Sequence, residues 1–336
     1  MKTNQKVPSA ECRVPSAVRR GETSGPRPPA FTSRSAIQAR LVTRHPSPVT
    51  RHAFTLVEIL VTMTLLSLIV LVLMSVFNST QTAFRATLTQ TDLLEGGRDV
   101  LGLMKNDFES LTPSMTFSND AVNLYIVTNR IQFQSGPAPL VQPLVGSPTS
   151  AQRTNVLETV FLLTRQNLTW TGVGYYVDPT STNSFNPLYR FSMSTNLAAD
   201  PWWLFYYFTN SVANGVFTNM SRLVDGVLHL TVRPYDLNSR WMTNGYPFLY
   251  TNVARNVTYT GPLLGEVGTS MFSNTLPAAV EINLGTLEDR IIQRAESLTG
   301  PGMATVQSNY LAQQAGKVHL FRQRIPVRNV DPSAYQ

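Results

Sequence analysis

The pattern of apolar and polar positions changes three times along the chain. Residues 54–77 form a predominantly apolar run with one charged residue and neither glycine nor proline. At about 1.5 Å per residue, a helix of this length is roughly 36 Å long, enough to cross a hydrocarbon layer of about 30 Å. The pattern therefore predicts a transmembrane helix, which is longer than the apolar part of an ordinary cleaved signal peptide.

The helical pattern continues as an amphipathic segment, residues 78–112, before Pro113 supplies a stop. Its predicted apolar face comprises Leu94, Leu101, Met104, Phe108 and Leu111, whereas Arg85, Asp92, Arg98, Asp99, Lys105 and Asp107 fall largely off it. The pair Gly96-Gly97 is the weak point, where a mild bend or some flexibility is expected. We predict one helix over about 55–111, whose second half packs on a sheet.

Strand signals begin after Pro113 and extend through residues 113–336. Period-two alternation marks half-buried antiparallel strands at 228–232 and 280–284. Further strands are predicted at 124–127, 130–133, 156–163, 172–177 and 318–327, and the aromatic run Trp202–Phe208 is interpreted as a strand too. A short helix is predicted at Arg290–Glu296, and loops at about 134–154, 178–187, 236–276 and 297–316. The predicted fold class is α+β, with the long helix packed on an antiparallel β-sheet domain.

Charge is distributed unevenly. The formal net charge is +7, but residues 1–53 hold 10 Lys and Arg and two acids, which leaves 17 basic and 18 acidic residues in 54–336. The first 53 residues are rich in proline and lack apolar periodicity, so we expect a disordered basic leader. Its charge predicts a cytoplasmic N-terminus and an extracytoplasmic domain after the apolar run. The nearly neutral remainder argues against nucleic-acid binding.

The leader itself has two interpretations. It contains two short repeats at seven-residue spacing, Val7–Ala10 with Val14–Ala17 and Val42–His45 with Val49–His52. It is either a basic cytoplasmic leader or, in part, translated upstream DNA from a start site placed too early. Because no Met lies between Met1 and Met63, a shorter product would need a different start codon.

One acidic residue, Glu58, interrupts the apolar run. A carboxylate at the centre of a membrane helix costs about 2.5–3.5 kcal/mol on insertion scales, so it normally has a partner. A cut between Ala53 and Phe54 would create an α-amino group four residues before Glu58, able to neutralise it within one chain or between neighbours. The alternative is a plain signal anchor that tolerates a Glu near the interface.

The residues around this position resemble the prepilin-type cleavage and methylation motif of type IV pilins and type II secretion pseudopilins. The stretch His52–Val61 has a small residue before the cut, Phe after it, Glu at the fifth mature position and then an apolar helix. The resemblance implies a pilin-like fold, cleavage between Ala53 and Phe54 by a prepilin peptidase, N-methylation of Phe54 and a role for Glu58 in assembly. Two features depart from the family: Ala53 replaces the usual Gly, and the leader is longer than most.

Scattered parts of the body are similar to the J-type minor pseudopilins, namely 101–111, 223–236 and 318–327, although the loops are longer. The prepilin-like Verru_Chthon cassette proteins are an alternative family. Either resemblance implies a minor pilin or pseudopilin, single-pass in the bacterial inner membrane with a periplasmic C-terminal domain. Its implied partners are membrane lipid, an inner-membrane assembly platform and other pilin subunits of a periplasmic or surface filament.

Two further interpretations stay open. One is a minor type IV pilin for adhesion or DNA uptake, which a basic exposed face would favour. The other is a membrane-anchored periplasmic enzyme or carbohydrate-binding domain, which a pocket with converging carboxylates or histidines would favour.

The body offers little for catalysis, so we expect no enzyme. The single cysteine, Cys12, lies in the leader, and His229 and His319 stand in strand patterns without a second ligand nearby in sequence. Nucleophile-elbow, HExxH and phosphate-loop motifs do not occur in the sequence. No cofactor is predicted. Calcium is considered at Asp225-Gly226 and Glu288-Asp289, where turns are the favoured interpretation. The aromatics of 202–208 are expected in a sheet core, or otherwise in a sugar- or partner-binding face.

Overall fold

A computed structural model describes eleven stretches of the chain: residues 55–115, 121–128, 140–143, 152–181, 184–197, 199–216, 218–243, 256–260, 268–298, 300 and 302–335. The chain divides into two compact units, Met1–Leu65 and Leu66–Gln336. The described part of the first unit is the beginning of helix α1 (Leu56–Glu109), and the second unit holds the rest of that helix and the sheets. The predicted leader and the strand predicted at 130–133 lie outside the described residues.

The strands follow one another along the second unit. They are β1 (Val122–Thr128), β2 (Val141–Pro143), β3 (Gln152–Thr154), β4 (Glu158–Gln166), β5 (Thr169–Val177), β6 (Leu188–Asn196), β7 (Met220–Val224), β8 (Val227–Tyr235), β9 (Val257–Thr260), β10 (Gly268–Phe272), β11 (Ala279–Leu287) and β12 (Val318–Pro326). The shorter helices are α2 (Trp202–Asn214), α3 (Asp289–Ser297) and α4 (Ala304–Gln313), with single 3₁₀ turns at Ala315–Lys317 and Pro332–Tyr335.

Within the described residues, the strands form two antiparallel sheets and one small hairpin. The larger sheet has the order β7-β6-β5-β4-β1-β10-β9, the smaller has the order β12-β11-β8, and β2 pairs with β3. The two sheets are joined where β4 begins, because the Leu230 N–H donates to the Val156 carbonyl over 2.9 Å and the Val232 N–H donates to the Glu158 carboxylate over 2.6 Å. The α+β class with antiparallel sheets is therefore confirmed.

Helix α1 ends inside the main core of the second unit. This core lies between the two sheets and takes Val100, Leu101, Met104, Phe108 and Leu111 from the helix and its end. The predicted apolar face is thus confirmed from Leu101 onward, while Leu94 is half-buried. A second core lies under α2 on the other face of the larger sheet, and a third core lies beside α3 and α4.

The glycine pair in α1 has a packing role that the sequence did not predict. The helix continues through both residues, and Gly97 is buried. A Cβ atom at Gly97 would overlap the ring of Phe321 on β12, whereas one at Gly96 would meet nothing within 4 Å. Gly97 therefore permits the close approach of the helix to that strand.

Asp107, predicted to lie off the packed face, instead joins α1 to the larger sheet. Its carboxylate accepts two hydrogen bonds from Arg190 on β6, at 2.8 and 2.9 Å, and a third from the hydroxyl of Tyr175 on β5. Burial and the neighbouring Asp107 carboxylate raise the pKa of Tyr175, and hydrogen bonding to Asp107 raises the pKa of Arg190. Asp107 does lie off the apolar face of α1, but the sequence did not predict its contacts with β5 and β6.

Several secondary-structure predictions were also wrong. Trp202–Phe208 belongs to helix α2 and not to a strand, since Leu204, Phe208 and Val212 recur every four residues and face the larger sheet. The loops predicted around 134–154, 236–276 and 297–316 contain β2 and β3, β9 and β10, and helix α4 respectively. The remaining predicted strands that fall on described residues and the short helix at 290–296 are confirmed.

Replacing Asp107 by Asn should lower the free energy of unfolding by about 2–4 kcal/mol, because Arg190 would keep its charge in a largely desolvated place without a carboxylate. Lys105→Ala is the control. Lys105 makes only a surface pair with Glu109 at 3.8 Å and is 45 % exposed, so its loss should cost less than about 0.5 kcal/mol. Urea unfolding of the membrane-extracted chain, followed by near-UV circular dichroism, measures both. Equal effects of the two variants would contradict the role given to Asp107.

Candidate functional site

The first turns of α1 present an apolar surface with no cover from the described protein. By length and composition this helix can cross a membrane, and no residue of its most apolar 18-residue window is buried. The large apolar side chains from Leu56 to Phe77 are 46–80 % exposed. A soluble protein rarely exposes a continuous apolar surface of this size, so a membrane span is consistent with this part of the helix.

Two threonines of this stretch form hydrogen bonds within the helix. The Thr62 hydroxyl donates to the carbonyl of Ile59 over 2.9 Å, and the Thr64 hydroxyl donates to the carbonyl of Val61 over 2.8 Å. A hydroxyl bonded to its own helix loses little on leaving water. These threonines therefore remain compatible with a hydrocarbon environment.

Glu58 stands in the first turn of α1, which begins after Thr55. The Glu58 N–H donates to the Thr55 hydroxyl at 3.3 Å and to the Thr55 carbonyl at 3.1 Å. Thr-x-x-Glu is the spacing of a capping box, and a carboxylate at a helix N-terminus is stabilised by the helix dipole. The Thr55 hydroxyl therefore caps the helix, and the Glu58 carboxylate lies in the first turn, where the helix dipole favours an acid. The sequence analysis missed this arrangement, although the motif was visible. Ala53 and Phe54 lie outside the described residues, so pairing with the new N-terminus stays a prediction.

The aromatic run forms a patch on the outer side of α2. Trp203, Tyr206 and Tyr207 are 43–48 % exposed, and the Trp202 and Trp203 rings stack with centroids 4.1 Å apart. The expectation of a sheet core is wrong for these residues, because the inward side of α2 supplies the core contacts. The partner-facing interpretation remains a prediction.

The two histidines lie in strands β8 and β12, as predicted. His229 accepts a hydrogen bond at Nδ1 from the Val156 N–H over 3.1 Å, where the two sheets join. Burial, assisted by the charges of Arg153 and Arg233, lowers the pKa of His229 to about 4. The neutral ring therefore serves as a structural acceptor. The Nε2 atom of His319 lies 3.4 Å from the Glu288 carboxylate.

Two of the carboxylates considered for calcium, those of Asp225 and Glu288, are engaged with cations of the protein. Asp225 forms a two-pronged ion pair with Arg222, and Glu288 lies 3.7 Å from the Lys317 ammonium. Among the described residues there is no group of three or more His, Cys, Asp or Glu that could hold a metal ion. The candidate functional site is therefore the start of α1, where an exposed apolar stretch long enough to cross a membrane contains one carboxylate, that of Glu58.

Comparison with family models, with curated proteins and with solved structures gave no match. The assignment of function therefore depends on the residues and geometry described above.

The low pKa of His229 makes stability depend on pH in a defined window. The ordinary pKa of 6.5 applies when the chain is unfolded, and about 4 applies when it is folded. Between these values the unfolded state binds the proton first, so lowering the pH from about 6.5 to 4 should remove up to about 3 kcal/mol. His229→Asn keeps an acceptor for Val156 but does not titrate. Its stability should therefore fall less over this window in urea titrations at each pH. Parallel profiles would contradict this role of His229.

Proposed function

We propose that this protein is a minor pilin or pseudopilin subunit. It is inserted in the bacterial inner membrane as a prepilin through residues 54–77, cut between Ala53 and Phe54, and N-methylated at Phe54. It then assembles with other subunits into a type II secretion pseudopilus or a related filament. The observation that carries the proposal is the uncovered apolar start of α1, which directly follows the prepilin-like residues and continues into a helix anchored in an antiparallel β-domain.

The mechanism is assembly and not catalysis. Membrane lipid covers the apolar half of α1 before assembly, and the corresponding helices of neighbouring subunits cover it afterwards. Glu58 pairs with the N-terminal amine of a neighbour, which removes an unpaired charge from an apolar layer. The β-domain lies on the periplasmic side, where it sets contacts with neighbouring subunits. The partners are a prepilin peptidase, an inner-membrane assembly platform and other pilin-like subunits.

The exposed aromatics of α2 favour one alternative, a membrane-anchored carbohydrate-binding domain. Trp203, Tyr206 and Tyr207 offer ring faces of the kind on which sugars stack, and α2 carries no charged residue. A chain that keeps its leader and binds neutral oligosaccharides through these rings would favour that alternative over the filament subunit.

The mass of the N-terminal peptide tests the proposed processing. The full chain is produced with and without a prepilin peptidase, extracted from membranes and digested. With the peptidase, the N-terminal peptide should begin at Phe54 and carry one additional methyl group. Without the peptidase, the leader should remain. An unprocessed chain, or a cut at another bond, would overturn the proposal.

Substitutions at Glu58 and Thr55 separate the charge of Glu58 from the capping of the helix. Glu58→Gln keeps a side chain suited to a capping box but loses the charge, whereas Thr55→Ala removes the cap and keeps the charge. We expect Glu58→Gln and Glu58→Ala to be inserted and cut but to enter filaments at roughly one tenth of the normal level, from an unpaired-charge penalty of a few kcal/mol.

Thr55→Ala is the matched control, and it should assemble nearly normally. Filament incorporation is measured against the membrane pool by immunoblotting of sheared fractions. Normal incorporation of Glu58→Gln, or an equal defect in Thr55→Ala, would show that the charge is not what assembly requires.

A further inference from the structure

Strand β12 is an open edge of the smaller sheet. It pairs with β11 along its whole length and with no other described strand. The far side of β8, at the opposite end of this sheet, is bonded to the residues that lead into β4. An edge strand presents unpaired backbone N–H and C=O groups, to which a further strand can be added. The outer side of β12 is therefore a candidate interaction surface.

The larger sheet ends in strands that are less suited to such pairing. Its edges are β7 and β9. The pairing of β7 with β6 shifts register between Leu188 and Tyr189, and β9 is only four residues long. Bulges and short strands are two ways in which proteins keep an edge from pairing. By contrast, β12 has nine residues and pairs with β11 in an unbroken register, so it lacks both of these protections.

The register determines which backbone groups of β12 face outward. Beyond the last paired residue, the Val327 N–H donates to the Ala278 carbonyl over 3.0 Å, which continues the register of β12 and β11. Because bonded residues alternate in an antiparallel pair, every second residue back from Val327 bonds to β11. The N–H and C=O groups of Leu320, Arg322 and Arg324 therefore point away from β11. These backbone groups have no hydrogen-bond partner among the described residues.

The open stretch is bounded at both ends. The Val318 N–H, which would otherwise face the edge, donates to the Ala315 carbonyl. Pro326 has no N–H to offer. An added strand can therefore form complete pairs with Leu320–Arg324 alone. This length fits a short extended segment better than a long strand of another sheet.

The side chains along the open stretch indicate the chemistry of the segment. Leu320 is 53 % exposed, and the guanidinium of Arg324 lies 4.2 Å from the centroid of the Tyr235 ring. Stacking leaves the N–H groups of a guanidinium free at its edges, and Arg324 has no ion pair with a described residue. Arg322, in contrast, already donates to Glu281. A fitting segment thus places an acid beside Arg324 and an apolar residue beside Leu320.

The charge of β12 argues against a second copy of the same strand as the partner. The stretch 317–328 contains five basic or histidine residues and no acid, namely Lys317, His319, Arg322, Arg324 and Arg328. If two β12 strands paired antiparallel about their centres, Arg322 would stand opposite Arg322 of the other copy. Like charges directly opposite each other destabilise a strand pair. The edge therefore disfavours pairing with itself.

We propose that the edge of β12 binds an extended, acid-bearing segment of another protein, which adds to the smaller sheet as a fourth strand. The segment runs antiparallel to β12 and forms backbone hydrogen bonds with Leu320, Arg322 and Arg324, while its carboxylate pairs with Arg324. In this mode the backbone bonds supply affinity and the side chains supply specificity. The proposal concerns a contact beyond filament assembly and does not depend on cleavage before Phe54.

A pair of isomeric peptides tests the backbone contact. The probe is a fluorescent peptide of sequence Thr-Val-Glu-Val-Thr-Val-Leu-Val-Thr, whose Glu and Leu are spaced to lie beside Arg324 and Leu320. One isomer is N-methylated at the Glu, central Thr and Leu amides, which would face β12, and the other at three Val amides, which would face away. The full chain is extracted from membranes in detergent, and binding is measured by fluorescence anisotropy.

The Val-methylated isomer should bind, and the other should bind at least about tenfold more weakly, because its methyl groups replace the hydrogen-bond donors. Equal binding of the two isomers, or no binding of either, would overturn the proposal.

Two substitutions of Leu320 separate its N–H from its side chain. Leu320→Pro removes an outward N–H and breaks no bond to β11, which is the position where an edge strand accepts proline. It should weaken binding of the Val-methylated peptide at least about tenfold, whereas Leu320→Ala should weaken it less than about threefold. Thermal unfolding checks that both variants are folded. If Leu320→Pro is not folded, the isomeric peptides decide. Equal weakening by two folded variants would contradict binding at the edge.

The acid is tested by changing both partners. Arg324→Gln should weaken binding of the Glu-containing peptide by about threefold to fivefold, and it should leave unchanged the binding of a peptide with Gln in place of Glu. Equal effects on the two peptides would contradict the pairing with Arg324. Light scattering of the extracted chain reports the remaining occupant. A dimer that the peptide dissociates and that Leu320→Pro abolishes would make a second copy the occupant and overturn the proposal.

Discussion

The position of helix α1 on the sheets depends on the carboxylate of Asp107. Apolar ridges alone permit a helix to pack in more than one register, because neighbouring turns present similar side chains. A bidentate pair with Arg190 and a hydrogen bond from Tyr175 fix a single arrangement, since a shift by one turn would leave a guanidinium without its carboxylate. The interaction thus gives specificity where hydrophobic contact gives most of the free energy.

The register of α1 on the sheets also determines how the helix ends and meets strand β4. With Asp107 held, Met104 and Phe108 point into the core, where both are fully buried. The helix can then end directly against β4, and the Thr112 N–H donates to the carbonyl of Leu163 over 2.9 Å. The same strand joins the two sheets at its other end. Strand β4 is therefore the element through which the position of α1 reaches both sheets.

The periodicity of apolar residues correctly predicted those helices and strands in which the period repeats within a short stretch of sequence. Helix α1 and strands β8 and β11 each repeat their own period, so they were predicted correctly. The run Trp202–Phe208 failed because seven consecutive apolar residues show no period, and the helical face becomes visible only when the window extends to Val212. Strands β9 and β10 lie among polar and small residues, and their pairing supplies a stability that composition does not show.

The contacts that matter most for packing could not be predicted from local sequence, because they join residues that are far apart in the chain. Asp107 and Arg190 are 83 residues apart, and nothing near either residue indicates that they pair. Gly97 likewise appeared as a weak point, because the ring of Phe321 that requires it is more than 200 residues away. The start of α1 differs, because its apolar run and its single acid are consecutive residues and could be recognised in the sequence. Only the hydrogen bond from the Glu58 N–H to the Thr55 hydroxyl had to be seen in the structure.

The two roles of Glu58 differ in how much free energy they can supply. Capping and the helix dipole favour an acid in a first turn by about 0.3–1 kcal/mol, and this benefit needs no partner. Placing the same carboxylate within a membrane costs up to about 2.5–3.5 kcal/mol, less near the interface. If α1 enters a membrane, the cap explains why an acid suits the first turn but is too weak to offset burial there. Within a membrane the carboxylate therefore needs a cationic partner, and the N-terminal amine that cleavage would create four residues earlier is the nearest candidate.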